Sequence, residues 1–306
     1  MTHDTFMSLA FNPALAFGWS VLAGVVMSMG GGGGGILAGV GNISIIGIGD
    51  PNMIKVVNQI LEFASRIVSV PLYQRQRRLV WSVALSYGIG APIGAITGAW
   101  FSKSMMANMA AYRPAFGVLI ALVAARVLYE SWGSGAMNHA GRRKANEASM
   151  RATRNARSSS GLDGEAVPRS SLLNWNSVRV RFGGDHFDFS PLVAAAGGFA
   201  ISFVGSTFGV GGGFLATPFM ASVLLFPMYL VAGTSLVALF IPLAVSIATY
   251  IVLRVNVDWR LVAVEVPGVL AGSFLGPWVN SYMNERAQKT AVAVALFAIG
   301  LFYIWH

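Results

Sequence analysis

Eight apolar runs, near 14–40, 52–71, 79–101, 114–132, 191–219, 228–253, 261–282 and 288–305, occupy most of this chain. A helix needs about 20 such residues to cross roughly 30 Å of hydrocarbon. In lipid every backbone polar group must be paired within the protein, which leaves helices or a closed barrel; apolar runs of this length are helical. The alternative, a soluble protein with a very apolar core, needs a charged surface. Only 11% of the 306 residues are charged and 55% are hydrophobic, whereas soluble domains are about 25% charged. The expected fold class is therefore an all-α polytopic membrane protein with about eight transmembrane segments, seven to nine remaining open.

The net charge of +9 would suit nucleic acid, but Lys and Arg gather in the hydrophilic gaps between runs, as cytoplasmic-loop bias produces. The longest gap, 133–190, holds Arg142, Arg143, Lys144, Arg151, Arg154, Arg157, Arg169, Arg179 and Arg181. A second gap, 72–79, holds Arg75, Arg77 and Arg78 and lies two spans earlier, so both fall on one side, read as cytoplasmic. Three units follow: a first transmembrane repeat at 14–132, a polar basic loop at 133–190 and a second repeat at 191–305. Within the loop, SVRVRFGGDHFDFS alternates apolar and polar residues around Gly183-Gly184, the pattern of a β-hairpin. RATRNARSSSGLDGEAVPRSS before it is poor in apolar residues and is expected to be flexible. The N-terminus, MTHDTFMSLAFNP, lacks a basic n-region and is expected to be retained.

The two halves are alike. Gly33-Gly34-Gly35-Ile36-Leu37-Ala38 returns 178 residues later as Gly211-Gly212-Gly213-Phe214-Leu215-Ala216, and the same offset carries Gly90, Gly94, Gly98 and Trp100 to Gly268, Gly272, Gly276 and Trp278. In between, Asn58-Gln59 matches Thr234-Ser235 at an offset of 176. Duplication of a four-span unit is a common plan for secondary transporters, whose substrate sites lie near mid-membrane where the repeats meet. Parallel and inverted arrangements both remain open at this level.

Each glycine triplet sits inside an apolar run, and the second has Pro218 five residues on. Gly costs about 1 kcal/mol and Pro about 3 in a helix interior, so the helices break there. Unpaired backbone at membrane depth is tolerated only where it is buried or lines a wet cavity. A helix restarting after the triplet aims free N–H groups and a positive dipole end inward, a setting for a small anion. The competing role is tight helix crossing through small residues, assigned here to Gly90, Gly94, Gly98 and to the Gly205/Gly209 pair. The candidate substrate-binding set is Gly33, Gly34, Gly35, Gly211, Gly212 and Gly213, completed by the neutral hydrogen-bonding side chains of Asn58, Gln59, Thr234 and Ser235. Those four side chains serve equally well as interhelical hydrogen-bonding groups.

Ionisable residues at membrane depth are functional candidates by default. Lys55, Glu62 and Arg66 share one apolar segment, Glu62 and Arg66 at the i,i+4 spacing of a local pair, and Glu265 is a lone acid in the second half. All four are candidates for coupling or gating. Lys55 and Arg66 are also near enough to segment ends to snorkel, and Glu265 is equally consistent with a place at the interface. No enzyme emerges. The glycine runs lack GK[ST], His3, His139, His186 and His306 have no metal-ligand spacing, and there is no Cys for disulfides or thiolate chemistry. No cofactor is expected.

GxGGGxxxxP, present from Gly209 to Pro218 and followed by Gly233-Thr234-Ser235, resembles the TauE/SafE sulfite exporter family of the toluene-sulfonate uptake permease superfamily. The first half departs from the pattern, with Gly39-Val40 in place of Thr217-Pro218 and Asn58-Gln59 in place of Thr-Ser. The resemblance implies an exporter of sulfite, sulfoacetate or related small anions, about eight spans in two homologous halves, driven by an ion or electrochemical gradient. The expected protein is thus a multi-pass cell-membrane carrier working by alternating access, that membrane being the inner one if the source is a Gram-negative bacterium. Its expected partners are a small anionic substrate, the lipid bilayer and a coupling proton or ion, with no nucleic acid. An anion channel, or a receptor or assembly subunit acting through 133–190, are the alternatives.

Overall fold

The outward face of the fourth helix carries Leu85, Ile89, Ile93, Ile96 and Trp100, each more than 40% exposed, while Tyr87, Ala91 and Ala95 on its other face are buried. Large apolar side chains outside and small ones inside suit a surrounding of lipid. The computed structural model describes residues 11–29, 33–132, 144–145, 147–151, 168–174, 176–282 and 285–305. They form α1 (Pro13–Ser28), α2 (Gly34–Ser44), α3 (Pro51–Arg75), α4 (Trp81–Met105), α5 (Met109–Trp132), β1 (Arg169–Asn174), β2 (Ser177–Phe182), β3 (Asp185–Phe189), α6 (Pro191–Phe208), α7 (Gly213–Ser222), α8 (Met228–Ala238), α9 (Phe240–Val252), α10 (Trp259–Tyr282) and α11 (Glu285–Trp305). Among the described residues, five stretches are long and apolar enough to cross a membrane: Trp81–Met105, Met109–Arg126, Pro191–Phe208, Met228–Val252 and Trp259–Gly276. The protein is a mostly helical, multi-pass membrane protein. The segment read as flexible lies largely outside the described residues, as do His3, His139 and His306.

Both glycine-rich runs break, and each folds back as a helical hairpin. Trp19 Nε1 donates to the Leu37 carbonyl at 3.0 Å, and a methyl at Gly34 would collide with Met27, so α1 and α2 run antiparallel. In the second half a methyl at Gly197 would meet the Phe219 ring, placing α7 back along α6. Gly209, Gly211 and Gly212 all have positive φ, of 70°, 59° and 74°, which only glycine adopts at low cost. The second break is thus written into the backbone itself.

Helix α3 is continuous for 25 residues, with Asp50 as N-cap and Pro51 in the first turn, where its missing N–H costs nothing. Its counterpart is split at Leu239 into α8 and α9. That pair runs antiparallel to α3: Gly233 lies beside Tyr73 and Arg78, Phe240 stacks near Phe63 with centroids 4.6 Å apart, and Tyr250 packs with Val56.

Three long helix pairs complete the bundle: α4 with α6, α1 with α10, and α5 with α11. Gly90, Gly94 and Gly98 receive the backbone of Ala195, Phe199 and Phe203, while Gly268, Gly272 and Gly276 receive Phe17, Val21 and Val25. These glycines therefore act as close-packing surfaces, as their spacing predicts. The polar segment forms a three-stranded antiparallel sheet in the order β1-β2-β3, one strand more than the expected hairpin. Phe182 pairs with Asp185 across Gly183-Gly184, whose φ values of 59° and 81° are those of a type I′ turn. Val178, Val180, Phe182, Phe187 and Phe189 turn inward onto Val80, Val83, Phe226 and Tyr229, so the sheet caps one end of the bundle.

Candidate functional site

The two hairpin tips meet at one side chain. A methyl on Gly35 would strike Glu62 Oε1, and a methyl on Gly211 would strike Glu62 Oε2, so the carboxylate lies between the glycine triplets of the two halves. Arg66 lies one turn further along α3 and donates through Nη1 to Glu62 Oε2 at 2.7 Å and to the Glu62 carbonyl at 3.1 Å. Both residues are buried, at 3% and 4% exposure, so Arg66 pairs internally and does not snorkel. Among the described residues Glu62 Oε1 and Arg66 Nε have no hydrogen-bond partner. Buried polar groups are nearly always paired, and both of these atoms belong to residues that line a cavity.

That cavity is lined by Met27, by Gly34 and Gly35 at the start of α2, by Glu62, Ser65 and Arg66 of α3, by Gly213 and Thr217 of α7, and by Ser235, Leu236 and Leu239 around the α8–α9 break. Centres of water-sized spheres sweep about 20 Å³ of it, where about 10–15 Å³ admits one water. It is a small, largely buried pocket. The first turns of α2 and α7, of 11 and 10 residues, border it from opposite halves. Helix N-termini carry free N–H groups and roughly half a positive charge, and Arg66 adds a full one. The arrangement can hold an oxyanion between two helix ends and a guanidinium.

Of the residues read from sequence, Gly34, Gly35, Gly213, Ser235, Glu62 and Arg66 line this cavity, and Gly211 touches Glu62. Gly33 caps α2, and Gly212 sits behind the tip against Ile201 and Leu239. Thr234 Oγ1 accepts from the Val80 N–H at 3.1 Å and lies away from the cavity. Gln59 Nε2 reaches the Ser206 carbonyl at 3.5 Å, bridging the halves. Asn58 Oδ1 accepts from Asn42 Nδ2 at 2.7 Å, and Ser20 and Asn42 are the side chains beside the Glu265 carboxylate. Lys55 is wholly buried; its Nζ donates to the Met106 carbonyl at 2.8 Å and lies 4.7 Å from the Tyr112 ring centroid. Three polar residues were not anticipated. Ser65 and Thr217 line the cavity, and Asn42 joins Asn58. Asn42 is the one amide in the run 36–49, which was its available signal; Ser65, three residues from Glu62, had helical spacing.

Among the described residues no group of three or more His, Cys, Asp or Glu is placed to hold a metal. The sulfite exporter TauE/SafE family model matches residues 16–303, nearly the whole helical bundle. A probable membrane transporter protein, YunE of Bacillus subtilis (strain 168), is 28% identical over 120 residues, which is 39% of this chain and 44% of that relative. The aligned part thus spans less than half of the relative's length. No solved structure matches. With the family match covering both hairpins and every helix that lines the cavity, the chain belongs to the sulfite exporter TauE/SafE family of membrane transporters.

Proposed function

We propose that the protein is a secondary transporter that moves a small oxyanion, sulfite or a short organosulfonate such as sulfoacetate, by alternating access. The observation that carries this reading is the convergence of two glycine-led helix starts, one from each half, on the buried Glu62–Arg66 pair. A pyramidal or tetrahedral anion presents three oxygens, matching two helix N-termini and a guanidinium. In this structure the Glu62 carboxylate stands in the position of an anion beside Arg66. An incoming oxyanion replaces it as Arg66's partner once the cavity opens to water, and the Ser235 and Thr217 side chains complete the cradle.

The units 14–132 and 191–305 act as two inverted repeats. Supporting this, exchange of the halves turns the α4–α6 contact into the α10–α1 contact and returns α5–α11 to itself. The α3 and α8–α9 elements, equivalent under that exchange, run in opposite directions. Six crossings and two hairpins entering from opposite faces account for the eight embedded segments. Arg78, 4.0 Å from the Tyr229 ring centroid, and the sheet of β1–β3, packed on Val80, Val83 and Tyr229, lie together at one end, taken as cytoplasmic from its charge. There they raise the local concentration of anions at the inner mouth.

The test is flux of labelled sulfite and sulfoacetate in proteoliposomes, with Gly35→Ala as comparison. Gly35 has ordinary helical backbone, so the variant adds one methyl against Glu62 without the strain that any residue would meet at Gly212. We expect saturable wild-type flux and at least about a tenfold loss in the variant, the scale of a displaced binding contact. Unsaturable current would favour an anion channel. Flux that survives Gly35→Ala would remove the hairpin tips from the substrate path.

A further inference from the structure

Glu265 is the second buried carboxylate of the bundle, and its surroundings differ from those of Glu62. It is 1% exposed and faces Ser20 of α1 and Asn42 of α2. Ser20 gives its proton to the Ala16 carbonyl at 2.6 Å. Asn42 gives one amide proton to Asn58 Oδ1. Among the described residues, Glu265 Oε2, Asn42 Oδ1 and Asn58 Nδ2 all have no hydrogen-bond partner, and the last two side chains are wholly buried. Ser20 and Asn42 meet the carboxyl only as neutral hydrogen-bonding groups, so an ionised carboxylate there would have no cation to face among the described residues.

Among the described residues, the charged and titratable groups on the packed elements are directed elsewhere. Helix α1 and α2 contribute none at this level. On α3, Glu62 and Arg66 pair with each other and Lys55 points to Met106 and Tyr112. On α10 itself Arg260 is exposed, and on α11 Tyr303 bonds to Ser44 and Val40. The other half sharpens the point. The residue 178 positions before Glu265 is Tyr87, buried on α4 against the Gly198 backbone of the second hairpin. A phenol, with an ordinary pKa near 10, carries its proton at all physiological pH values; a carboxyl does not. Equivalent hairpin-to-helix contacts are thus fixed in one half and titratable in the other.

We propose that Glu265, Ser20, Asn42 and Asn58 form a single-proton site that latches the first hairpin to α10 and α3, and so supplies the coupling step of the carrier. The inference rests on the transporter reading for its role in transport, but the latch itself does not. One proton from the aqueous phase forms an O–H bond on the Glu265 carboxyl; the proton leaves to water when the hairpin moves. Neutralising the acid lets the α1–α2 hairpin seat against α10 without burying an unpaired charge. Deprotonation releases it. Sodium is the competing occupant, and it needs several oxygen ligands where this cluster presents few.

Two measurements on Glu265→Gln separate the possibilities. The first is hydrogen–deuterium exchange of residues 34–44 in the full-length protein across pH, which requires no transport. We expect protection, the intrinsic exchange rate of the amides at each pH relative to the observed rate, to fall with pH in the wild type and to stay high and flat in Glu265→Gln, the permanently neutral mimic, with Asn42→Ala intermediate. The second compares sulfite exchange between equal pools with accumulation driven by a pH gradient. The variant should lose gradient-driven accumulation by at least about tenfold, within the usual range of site-to-site coupling, while exchange falls far less. A pH response of 34–44 that persists in the variant, or one that follows sodium concentration at fixed pH, overturns the latch. Absence of any anion flux in the wild type, with the pH response of 34–44 intact, would instead count against the transport reading alone.

Discussion

Helix α3 and the α8–α9 pair occupy equivalent places in the two halves, yet they solve the membrane differently. Helix α3 runs unbroken and carries Lys55, Glu62 and Arg66 inside the bundle. The α8–α9 pair carries no charge and bends at Leu239, one residue past the position that matches Glu62 at the 176-residue offset. Intact backbone hydrogen bonds leave α3 free to present side-chain charge, whereas the broken pair presents backbone and hydroxyls. On the proposed repeat reading the two halves share a frame and differ in chemistry: one wall of the cavity is ionic and the other is neutral.

The comparison is most strongly tested by removing one charge. Arg66→Met leaves Glu62 buried beside no cation, and a loss of about 3–5 kcal/mol in stability is expected, visible as a large fall in thermal midpoint in detergent. Glu62→Gln with Arg66→Met together should recover most of that stability while sulfite flux stays absent. At the break of the other half, Leu239→Met should cost less than about 1.5 kcal/mol. If the two halves respond alike, the ionic wall is not special.

A smaller effect tests their likeness. Gly94→Ala and Gly272→Ala each force a methyl against neighbouring backbone, Phe199 in one case and Val21 in the other. Both should lower stability by about 1–3 kcal/mol, and by similar amounts. Unequal losses would show that the α4–α6 and α1–α10 crossings are not equivalent.

The smallest effect lies outside the bundle, in the sheet that only one side of the molecule possesses. Arg179 bonds Asp188 through Nε at 2.8 Å and Nη2 at 2.9 Å. The hydrogen bond from Arg179, followed by its charge, holds the Asp188 carboxyl below its usual range. A depressed carboxylate contributes stability above its unfolded pKa, about 3.9, and loses it as pH falls through the folded value. Arg179→Gln should therefore move acid unfolding of the sheet to slightly higher pH, followed by tryptophan-independent circular dichroism, and leave neutral-pH sulfite flux unaltered.

Much of this was legible in the chain. Apolar run length determined the helices, because lipid leaves the backbone no other partner. The glycine triplets announced the breaks, since consecutive glycines weaken a helix wherever they fall. The Gly183-Gly184 turn followed from alternation. The spacing of Glu62 and Arg66 predicted their pair. Tertiary structure alone decided the rest. Sequence offset cannot tell a crossing from a hairpin, because both begin with the same apolar residues; contacts such as Trp19 with Leu37 settle the direction. Nor does a polar residue's place in a run say what it faces. Thr234 and Ser235 are neighbours, but successive helical positions point about 100° apart, so one caps α4 and the other lines the cavity. Glu62 could be named from the sequence, whereas its position between two glycine tips 176 residues apart in the chain depends on how the two hairpins meet.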